Sequence, residues 1–370
     1  MNDEKLELTR EWDKVFPHSD EVDHEKVTFH NRYGITLAAD LYRSKGARGP
    51  LAAITVSGPF GAVKEQSSGL YAQTMAERGF LTLAFDPSYT GESGGAPRYM
   101  ASPDINTEDF SAAVDHLSCR EDVDPERIGI IGICGWGGMA INAAALDPRI
   151  RATVASTMYD MSRIAAKGYF DEQDSAAARD SARARFAAQR TADYRSGSYA
   201  RAGGVVDPLP EDVPAFVRDY HDYYKTPRGY HLRSLNSNEG WNVVGTASFL
   251  NQPLLAYAGE IRTPVLVVHG EKAHSRYMGE GAFAQLTGEN KELSSSRGPV
   301  TRTCTTAAAG MRFPSTGSPS SSGQASPEPG ASRSRRGRLA GIGCPPRLSR
   351  GVGPGDTSPG PPVPLSAPGP

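Results

Sequence analysis

Short, mainly apolar runs alternate with longer helical segments over the first 160 residues, and this alternation constrains the fold more than any other feature. The runs are 51–58, 80–86, 127–133 and 150–157, and the pattern returns at 263–270. A strand that is apolar on both faces is typical of a parallel sheet covered by helices on both sides. Strands that alternate with helices indicate βαβ units. The sequence therefore predicts an α/β protein with a mostly parallel sheet.

Additional elements are predicted from local patterns. Two alternating runs, 27–31 and 35–43, flank a turn and predict a β-hairpin ahead of the parallel strands. Helices are expected at about 65–78 and about 107–119, the second with Thr107 as its N-cap. Residues 1–24 are interpreted as a polar lead-in and 25–293 as the folded core.

Residues 160–258 interrupt the alternation with a helix-rich stretch that carries many aromatic side chains. A segment of about 100 residues between two core strands is too long for a plain connection. We expect it to form a cap over the carboxyl ends of the strands, where open α/β sheets place their ligands. The alternative is that the aromatic side chains only form the interior of the cap itself.

Charge is distributed unevenly along the chain. Residues 1–293 carry 31 Lys and Arg against 40 Asp and Glu, whereas residues 294–370 carry nine Arg, no Lys and two acids. The acidic core argues against nucleic-acid binding. The four cysteines form no CxxC pair, which indicates a reducing compartment, and no apolar run approaches the roughly 18 residues that span a bilayer. We expect a cytoplasmic protein with a small-molecule substrate, and the sequence leaves a homo-oligomer open.

The segment 129–138, GIIGICGWGG, carries the strongest chemical signal. A strand runs directly into a helix with Cys134 at the turn, which is the context of a nucleophile elbow. Small neighbours let the strand and the helix pass closely, and the helix N-terminus favours a thiolate. The usual second glycine position holds Trp136, and Gly137 follows one step later. The alternative is a small buried cysteine at a tight turn.

At these residues the sequence resembles α/β-hydrolases of the dienelactone-hydrolase type, which use a Cys–His–acid triad. The resemblance covers roughly 25–293 and is carried by four strings: GICGWGGMA at 132–140, HGEKAHSRY at 269–277, SGPFGAVKEQ at 57–66 and FDPSYTGESGG at 85–95. It implies the α/β-hydrolase fold with a helical cap. The implied reaction is hydrolysis of an ester, lactone or thioester, and it needs no metal or organic cofactor.

The resemblance also implies roles for particular residues. Cys134 matches the nucleophile, and the backbone N–H of Gly135 matches one donor of the oxyanion hole. The second donor comes from the turn after the first parallel strand. Because Pro59 has no N–H, Phe60 is the better candidate there.

The sequence offers three carboxylates as the acid of the triad. Glu271 is the carboxylate in the loop after the late strand and is our candidate, and Asp160 and Glu280 are the alternatives. A triad histidine normally follows the last strand of this fold. We therefore interpret His269 as structural and leave His274 as a pocket residue of open role.

After residue 293 the sequence offers neither a last strand, nor a loop with a histidine, nor a closing helix. Of the 77 residues in 294–370, 41 are Gly, Pro or Ser and none is His. Such a composition cannot build a core, so we expect a disordered tail. The sequence thus predicts that the C-terminal strand and helix are missing.

The composition of the tail is typical of GC-rich DNA read out of frame. If each new codon takes the last base of one codon and the first two of the next, residues 294–307 can be reread as Leu-Ile-Val-Pro-Gly-Ala-Ser-His-Ala-Asp-Leu-Tyr-Asp-Arg. This string resembles a final strand followed by the histidine loop, and it places Thr301 in the slot of the catalytic histidine. Loss of the base is expected to cost roughly 10²–10⁴-fold in rate.

Two rival functions remain open from the sequence. One is a different chemistry on the same fold, either acyl transfer or C–C bond cleavage. The other is a non-catalytic protein, either a pseudo-enzyme or the product of a broken gene. A genuine Pro-rich tail that binds the aromatic groove of a partner is the alternative to the frameshift.

Overall fold

The computed structural model describes residues 5–296, and one mixed sheet of eight strands forms their centre. The strands are β1 Val22–His30, β2 Thr36–Ser44, β3 Leu51–Ser57, β4 Leu81–Phe85, β5 Val123–Ile133, β6 Ile150–Ser156, β7 Val265–Gly270 and β8 Lys291–Ser296. Their order is β1-β2-β4-β3-β5-β6-β7-β8. The hairpin of β1 and β2 is antiparallel and β2 pairs antiparallel with β4, whereas all other neighbours are parallel. The predicted α/β architecture is therefore confirmed.

The helices cover the sheet in the way that right-handed crossovers require. They are α1 Ser67–Ala76, α2 Pro103–Ser118, α3 Gly135–Leu146, α4 Met161–Lys167, α5 Ala176–Ser196, α6 Ala215–Tyr224 and α7 Arg276–Gln285. The connection from β3 to β4 runs in one direction along the sheet, and the connections through α2, α3 and α7 run in the other. Right-handed crossovers place α1 on one face and these three helices on the opposite face. This accounts for the buried character of β3, β4 and β6.

Helix α2 begins earlier than the sequence predicted. Its N-cap is Ser102, whose hydroxyl accepts a hydrogen bond from the backbone N–H of Ile105 at 3.4 Å, and Pro103 occupies the first turn. The hydroxyl of Thr107, the predicted N-cap, instead donates to the carbonyl of Pro103 at 2.6 Å inside the helix. The Ser102-Pro103 pair therefore marks the start of α2, and the prediction of Thr107 as its N-cap is wrong.

Between β6 and β7 the chain forms the predicted helical insertion. It contains α4, α5, α6 and three short 3₁₀ helices, Tyr169–Asp171, Val243–Leu250 and Ala258–Glu260. Tyr220 and Tyr224 of α6 are buried and pack with Val205 against Ala62, which lies in the loop after β3. The cap aromatics thus form an interior and also contact the core of the protein.

The end of the described chain corrects one expectation. Residues Lys291–Ser296 form β8 and pair in parallel with β7, although the sequence predicted that no last strand is present. Strand pairing uses backbone groups, so the polar sequence KELSSS can supply an outer strand without an apolar pattern. The expected closing helix, the tail and position 301 lie outside the described residues.

Within residues 5–296, no helix combines the length and the apolar character that crossing a bilayer requires.

Candidate active site

The carboxyl ends of four parallel strands bring the predicted site residues to one edge of the sheet. Phe60 follows β3, Cys134 follows β5, Tyr159 follows β6 and His274 follows β7. Because parallel strands end on the same side, the loops after them converge there. Phe60, Cys134 and His274, which the sequence singled out, therefore lie after strands that end at this edge, and Tyr159 joins them there.

Cys134 occupies a strained turn between β5 and α3. Its backbone has φ 58° and ψ −125°, a conformation that side-chain-bearing residues rarely adopt. Three backbone hydrogen bonds hold it: its N–H donates to the carbonyl of Ser156 at 2.9 Å, and its carbonyl accepts from Gly137 at 2.9 Å and from Tyr159 at 2.8 Å. The side chain is fully buried. This is the geometry of a nucleophile elbow.

Close packing around Cys134 requires glycine at positions 132 and 137, whereas position 136 accepts a large side chain. A Cβ on Gly132 would lie 2.1 Å from the carbonyl oxygen of Trp136, and a Cβ on Gly137 would lie 2.5 Å from Cβ of Met158. The close approach of α3 to the chain after β6 thus uses Gly137. The Trp136 ring is buried against Phe110, with ring centroids 5.7 Å apart. Position 136 points into the core, so a large side chain fits there.

The two residues predicted to donate to the oxyanion hole, Phe60 and Gly135, lie next to each other. A Cβ on Gly135 would be 2.9 Å from Cβ of Phe60, so the loop after β3 passes directly over the start of α3. Gly58 and Gly61 flank the turn with φ values of 106° and 85°. Neither the N–H of Phe60 nor that of Gly135 donates to an acceptor within residues 5–296. Two adjacent buried donors without a protein acceptor suit a developing oxyanion.

Cap residues fix this loop from the other side. The side-chain amide of Asn236 donates to the carbonyl of Phe60 at 2.9 Å, and the hydroxyl of Ser234 donates to the carbonyl of Gly61 at 3.1 Å. The ring of Trp241 lies 4.4 Å from that of Phe60 between centroids. The cap therefore helps to position the loop that carries one oxyanion donor.

Phenol groups and one histidine gather near Cys134. The Tyr159 hydroxyl contacts Nε2 of His274 and lies 2.8 Å from the hydroxyl of Tyr220. The ring of Phe216 stacks on His274 at 3.9 Å. Burial raises the pKa of Tyr159 and of Tyr220, and a negative charge on Cys134 raises both further. The phenols thus stay protonated and can donate hydrogen bonds, and His274 belongs to this group.

His269 has a different environment. It lies on β7 and is 1% exposed, and a Cβ on Gly279 would fall 2.2 Å from its Nε2. Neither ring nitrogen has a hydrogen-bond partner within the described chain. Burial, with smaller contributions from the charges of Arg276 and His274, lowers the pKa of His269 to about 4. A neutral histidine packed under α7 agrees with a structural role.

The structure brings none of the three candidate acids to either histidine. Glu271 is exposed, and only its backbone carbonyl is engaged, by Arg276 at 3.3 Å. Glu280 forms an ion pair with Arg276 at 2.8 Å. Asp160 caps α4 and accepts from the backbone N–H groups of Ser162 and Arg163, each at 3.0 Å. No described side-chain contact therefore supports Glu271 as the acid of the triad.

Burial of His274 predicts a pH-dependent stability. Desolvation lowers its pKa from 6.5 to about 4, so below pH 6.5 the unfolded chain binds the proton more readily. The stability from this group is present above pH 6.5 and is lost as the pH falls towards 4. We expect the free energy of unfolding to fall between pH 7 and pH 5 in both proteins. In His274→Gln the fall should be about 2 kcal/mol smaller than in the wild type, and urea unfolding at the two pH values measures it. Equal losses in both proteins would contradict the burial argument.

A buried cluster of charges was missed in the sequence analysis. Nζ of Lys64 donates to Glu65 at 2.7 Å, to Asp86 at 2.8 Å and to Glu92 at 2.6 Å, and all four side chains are at most 2% exposed. The carboxylate oxygens lie within 4.8 Å of one another, which is a spacing that a metal ion could bridge, but the Lys64 ammonium already contacts all three. The only available signal was the string FGAVKEQ, in which adjacent Lys and Glu follow an apolar loop.

The cluster extends to the lead-in and the cap. The guanidinium of Arg233 contacts Glu65 at 2.8 Å and Asp13 at 2.5 Å. The N–H of Thr9 donates to Glu92 at 2.6 Å. Burial would raise the pKa of Glu65, but the charges of Lys64 and Arg233 lower it to about 2. Residues interpreted as a polar lead-in are thus bound into the core.

Comparison with known proteins relates these features to a family. The family model described as X-Pro dipeptidyl-peptidase (S15 family) matches residues 33–288. The uncharacterized protein PA2218 of Pseudomonas aeruginosa is 59% identical over 291 residues, which is 78% of each chain. The crystal structure of that protein superposes with a TM-score of 0.77, covering 80% of this chain and 92% of that chain.

Two further relatives extend the comparison. The uncharacterized protein YcjY of Escherichia coli is 36% identical over 250 residues, or 65% of this chain and 77% of that protein. The thiohydrolase aneE of Aspergillus aculeatus is 35% identical over 137 residues, or 37% of this chain and 42% of that protein. The shared part thus includes less than half of the thiohydrolase.

Proposed function

Because the chain belongs to the S15 family of X-Pro dipeptidyl-peptidases and has the α/β-hydrolase fold, we propose that it is an acyl hydrolase with Cys134 as its nucleophile. The bond attacked is that of an ester, a lactone or a thioester, as in hydrolases of the dienelactone-hydrolase type. The observation that carries the proposal is the strained backbone of Cys134 at the start of α3, next to two buried N–H donors.

The reaction follows from this geometry. The Cys134 thiolate attacks the carbonyl carbon, a C–S bond forms, and the carbonyl electron pair moves to oxygen. The N–H groups of Phe60 and Gly135 donate to that oxyanion. Its collapse expels the alcohol or thiol and leaves an acyl thioester on Cys134. Water then attacks the thioester, which releases the acid and restores the thiol.

The histidine that normally transfers the proton after the last strand is the group that this sequence lacks. In hydrolases of this type a histidine takes the thiol proton and delivers it to the leaving group, and its slot is read here as Thr301, which lies outside the described residues. We attribute this to a shift of reading frame near codon 294. Glu271 remains the proposed acid because it lies in the loop after β7, although it is exposed. His274 is the alternative base, because it bonds to Tyr159 beside Cys134.

The substrate is expected to be apolar around its acyl carbon. The phenols of Tyr159, Tyr169 and Tyr220 lie close enough to Cys134 to interact with its charge, and the ring of Phe216 lies 5.9 Å from that of Tyr169 between centroids. The thiohydrolase relative favours a thioester over an oxygen ester. The same enclosure favours acyl transfer as a second candidate function, because exclusion of water lets another nucleophile compete for the acyl group.

Trapping of the acyl-enzyme tests the assignment of Cys134 in the protein as it exists. Without an efficient base, the acyl thioester should accumulate after incubation with 4-nitrophenyl acetate at mildly alkaline pH, because more of the thiol is ionised there. Mass spectrometry of proteolytic peptides should find the acetyl group on Cys134. The exposed Cys119 is the matched control, since it lacks an oxyanion hole and should react only at the rate of a simple thiol.

The substrate class is tested in the same assay. Butyryl thioesters, nitrophenyl butyrate and a Gly-Pro nitroanilide are compared for acylation of Cys134, and the thioester is expected to react fastest. The nitroanilide should react least, because the leaving amine must be protonated by a positioned acid. Modification of Cys119 with no modification of Cys134 would refute the proposed nucleophile.

A further inference from the structure

The short 3₁₀ helix Tyr169–Asp171 stands between the Cys134 region and the surface of the protein. The ring of Tyr169 faces inward, and its centroid lies 6.2 Å from that of His274. The next side chain, Phe170, is 51% exposed. Because adjacent residues face the site and the solvent, a single layer of chain separates the two at this point. We call residues Tyr169–Asp171 the Tyr169 segment.

The burial of Cys134 makes this cover relevant to the reaction. The Cys134 side chain is 0% exposed, so neither a substrate nor a reagent reaches the sulfur until a covering group moves. Burial raises the pKa of the Tyr169 phenol, and a negative charge on Cys134 raises it further, which places the phenol near the sulfur. The Tyr169 segment therefore covers Cys134 on a side where solvent is one residue away.

The backbone of the Tyr169 segment is strained. Phe170 has a φ of 55° and Asp171 has a φ of 59°, so both lie in the left-handed region that residues with side chains rarely adopt. Gly168 precedes the segment with φ 71° and ψ −178°, a conformation that is essentially restricted to glycine. Opening of the segment would release strain, and Gly168 provides the hinge.

Two contacts hold the strained segment in place. The backbone N–H of Phe170 donates to the hydroxyl of Tyr277 on α7 at 2.8 Å, and the two rings stack with centroids 5.2 Å apart. The guanidinium of Arg163 on α4 donates to the carboxylate of Asp171, through Nε at 2.8 Å and also through Nη2. Both contacts are partly exposed to solvent, so each can break at small cost without disturbing the core.

We propose that the Tyr169 segment is a gate that opens to admit the substrate to Cys134, with Tyr277 and Arg163 as its latch. The proposal rests on the proposed function, because an acyl substrate must reach the sulfur. A latched gate selects by size: a small molecule passes during a partial opening, whereas a larger one needs the whole segment to move away. Tyr169 thereby determines the size of acyl group that the enzyme accepts.

Alkylation of the full chain at one fixed pH tests the gate, with iodoacetamide as the small reagent and a pyrene maleimide as the bulky one. Mass spectrometry of proteolytic peptides measures the labelling rate of Cys134, and the exposed Cys119 of the same chain corrects for the intrinsic reactivity of each reagent. In the wild type the corrected rate at Cys134 should be about tenfold lower or more for the bulky reagent, because it needs the larger opening. Equal corrected rates would contradict the gate.

Two latch variants should admit the bulky reagent more readily. Tyr277→Phe removes the hydroxyl that holds the segment and should raise the ratio of bulky to small labelling rates at Cys134 about two- to tenfold, since one hydrogen bond is lost. Asp171→Asn should change the ratio in the same direction. The matched controls are Tyr194→Phe and Asp180→Asn at exposed positions of α5, and both should leave the ratio unchanged.

The ratio of the two rates separates gating from other causes. A changed pKa of the Cys134 thiol alters both rates equally, and urea unfolding of each variant shows whether the rise exceeds the change in the unfolding equilibrium. An unchanged ratio in both latch variants would overturn the gate, and a rise in Tyr169→Ala alone would identify a fixed wall. If the ratio behaves as expected but 4-nitrophenyl acetate does not acylate Cys134, the proposed function fails and the gate stands.

Discussion

Restoring the reading frame from codon 294 is expected to raise kcat/KM for nitrophenyl butyrate and for butyryl thioesters by roughly 10²–10⁴-fold. The described part of the chain already places Cys134 at its turn and the N–H groups of Phe60 and Gly135 beside it. If the proposed rereading holds, repair adds the histidine that transfers the proton, in the slot now read as Thr301. Initial rates of the repaired and the original chains, both shown to be folded by circular dichroism, measure the effect.

Two variants of the repaired protein identify the side chains responsible for the rise in kcat/KM. Cys134→Ala should remove the activity by about 10⁴-fold or more, because the nucleophile is lost. Replacing the newly introduced histidine with alanine should return the rate to that of the original chain. If the original chain hydrolyses the substrates as fast as the repaired one, the account of a missing base is wrong. His274→Gln in the original chain would then test the alternative base.

Replacement of the buried Lys64 with methionine is expected to lower the free energy of unfolding by about 3–5 kcal/mol. The substitution preserves much of the side-chain volume but leaves Glu65, Asp86 and Glu92 without the ammonium that they share. Urea unfolding at pH 7 measures the change. A shift of less than about 1 kcal/mol would show that the neighbouring Lys26 and Arg233 suffice to balance the acids.

Lys45→Met is the matched control for this substitution. Lys45 is exposed after β2, so its loss should change the free energy of unfolding by no more than about 0.5 kcal/mol. Lys64→Arg retains the charge but enlarges the side chain, and it should recover part of the stability. This pattern separates the loss of a buried cation from the general effect of removing a lysine.

The elements that the sequence predicted well are those whose signal is local. The runs at 51–58 and 127–133 are apolar because both faces are covered, and each became a strand. The turn at Cys134 was predicted from the apolar strand before it and the glycine-rich start of the helix after it. The start of α2 was misplaced because two N-cap signals, Ser102 and Thr107, stand five residues apart, and the proline after the first was overlooked.

Features that depend on distant partners were not available from the sequence. Glu271 follows β7 as an acid of this fold does, yet its side chain is exposed, and only the folded loop reveals this. The polar strand β8 has no apolar pattern because its pairing uses the backbone of β7. Two of the three partners of Lys64, Asp86 and Glu92, follow it by 22 and 28 residues, so no spacing rule could join them.

The contacts of Arg233 with residues near the start of the chain bear on the order of folding. Its partners Thr9 and Asp13 precede it by 224 and 220 residues. During synthesis on the ribosome, the first strands emerge long before this arginine exists. The acids of the cluster must therefore remain hydrated, or rely on lysines alone, until the cap has been translated. Contacts of such sequence separation close late because they carry the largest loop entropy. The N-terminal segment should accordingly dock last, although it is made first.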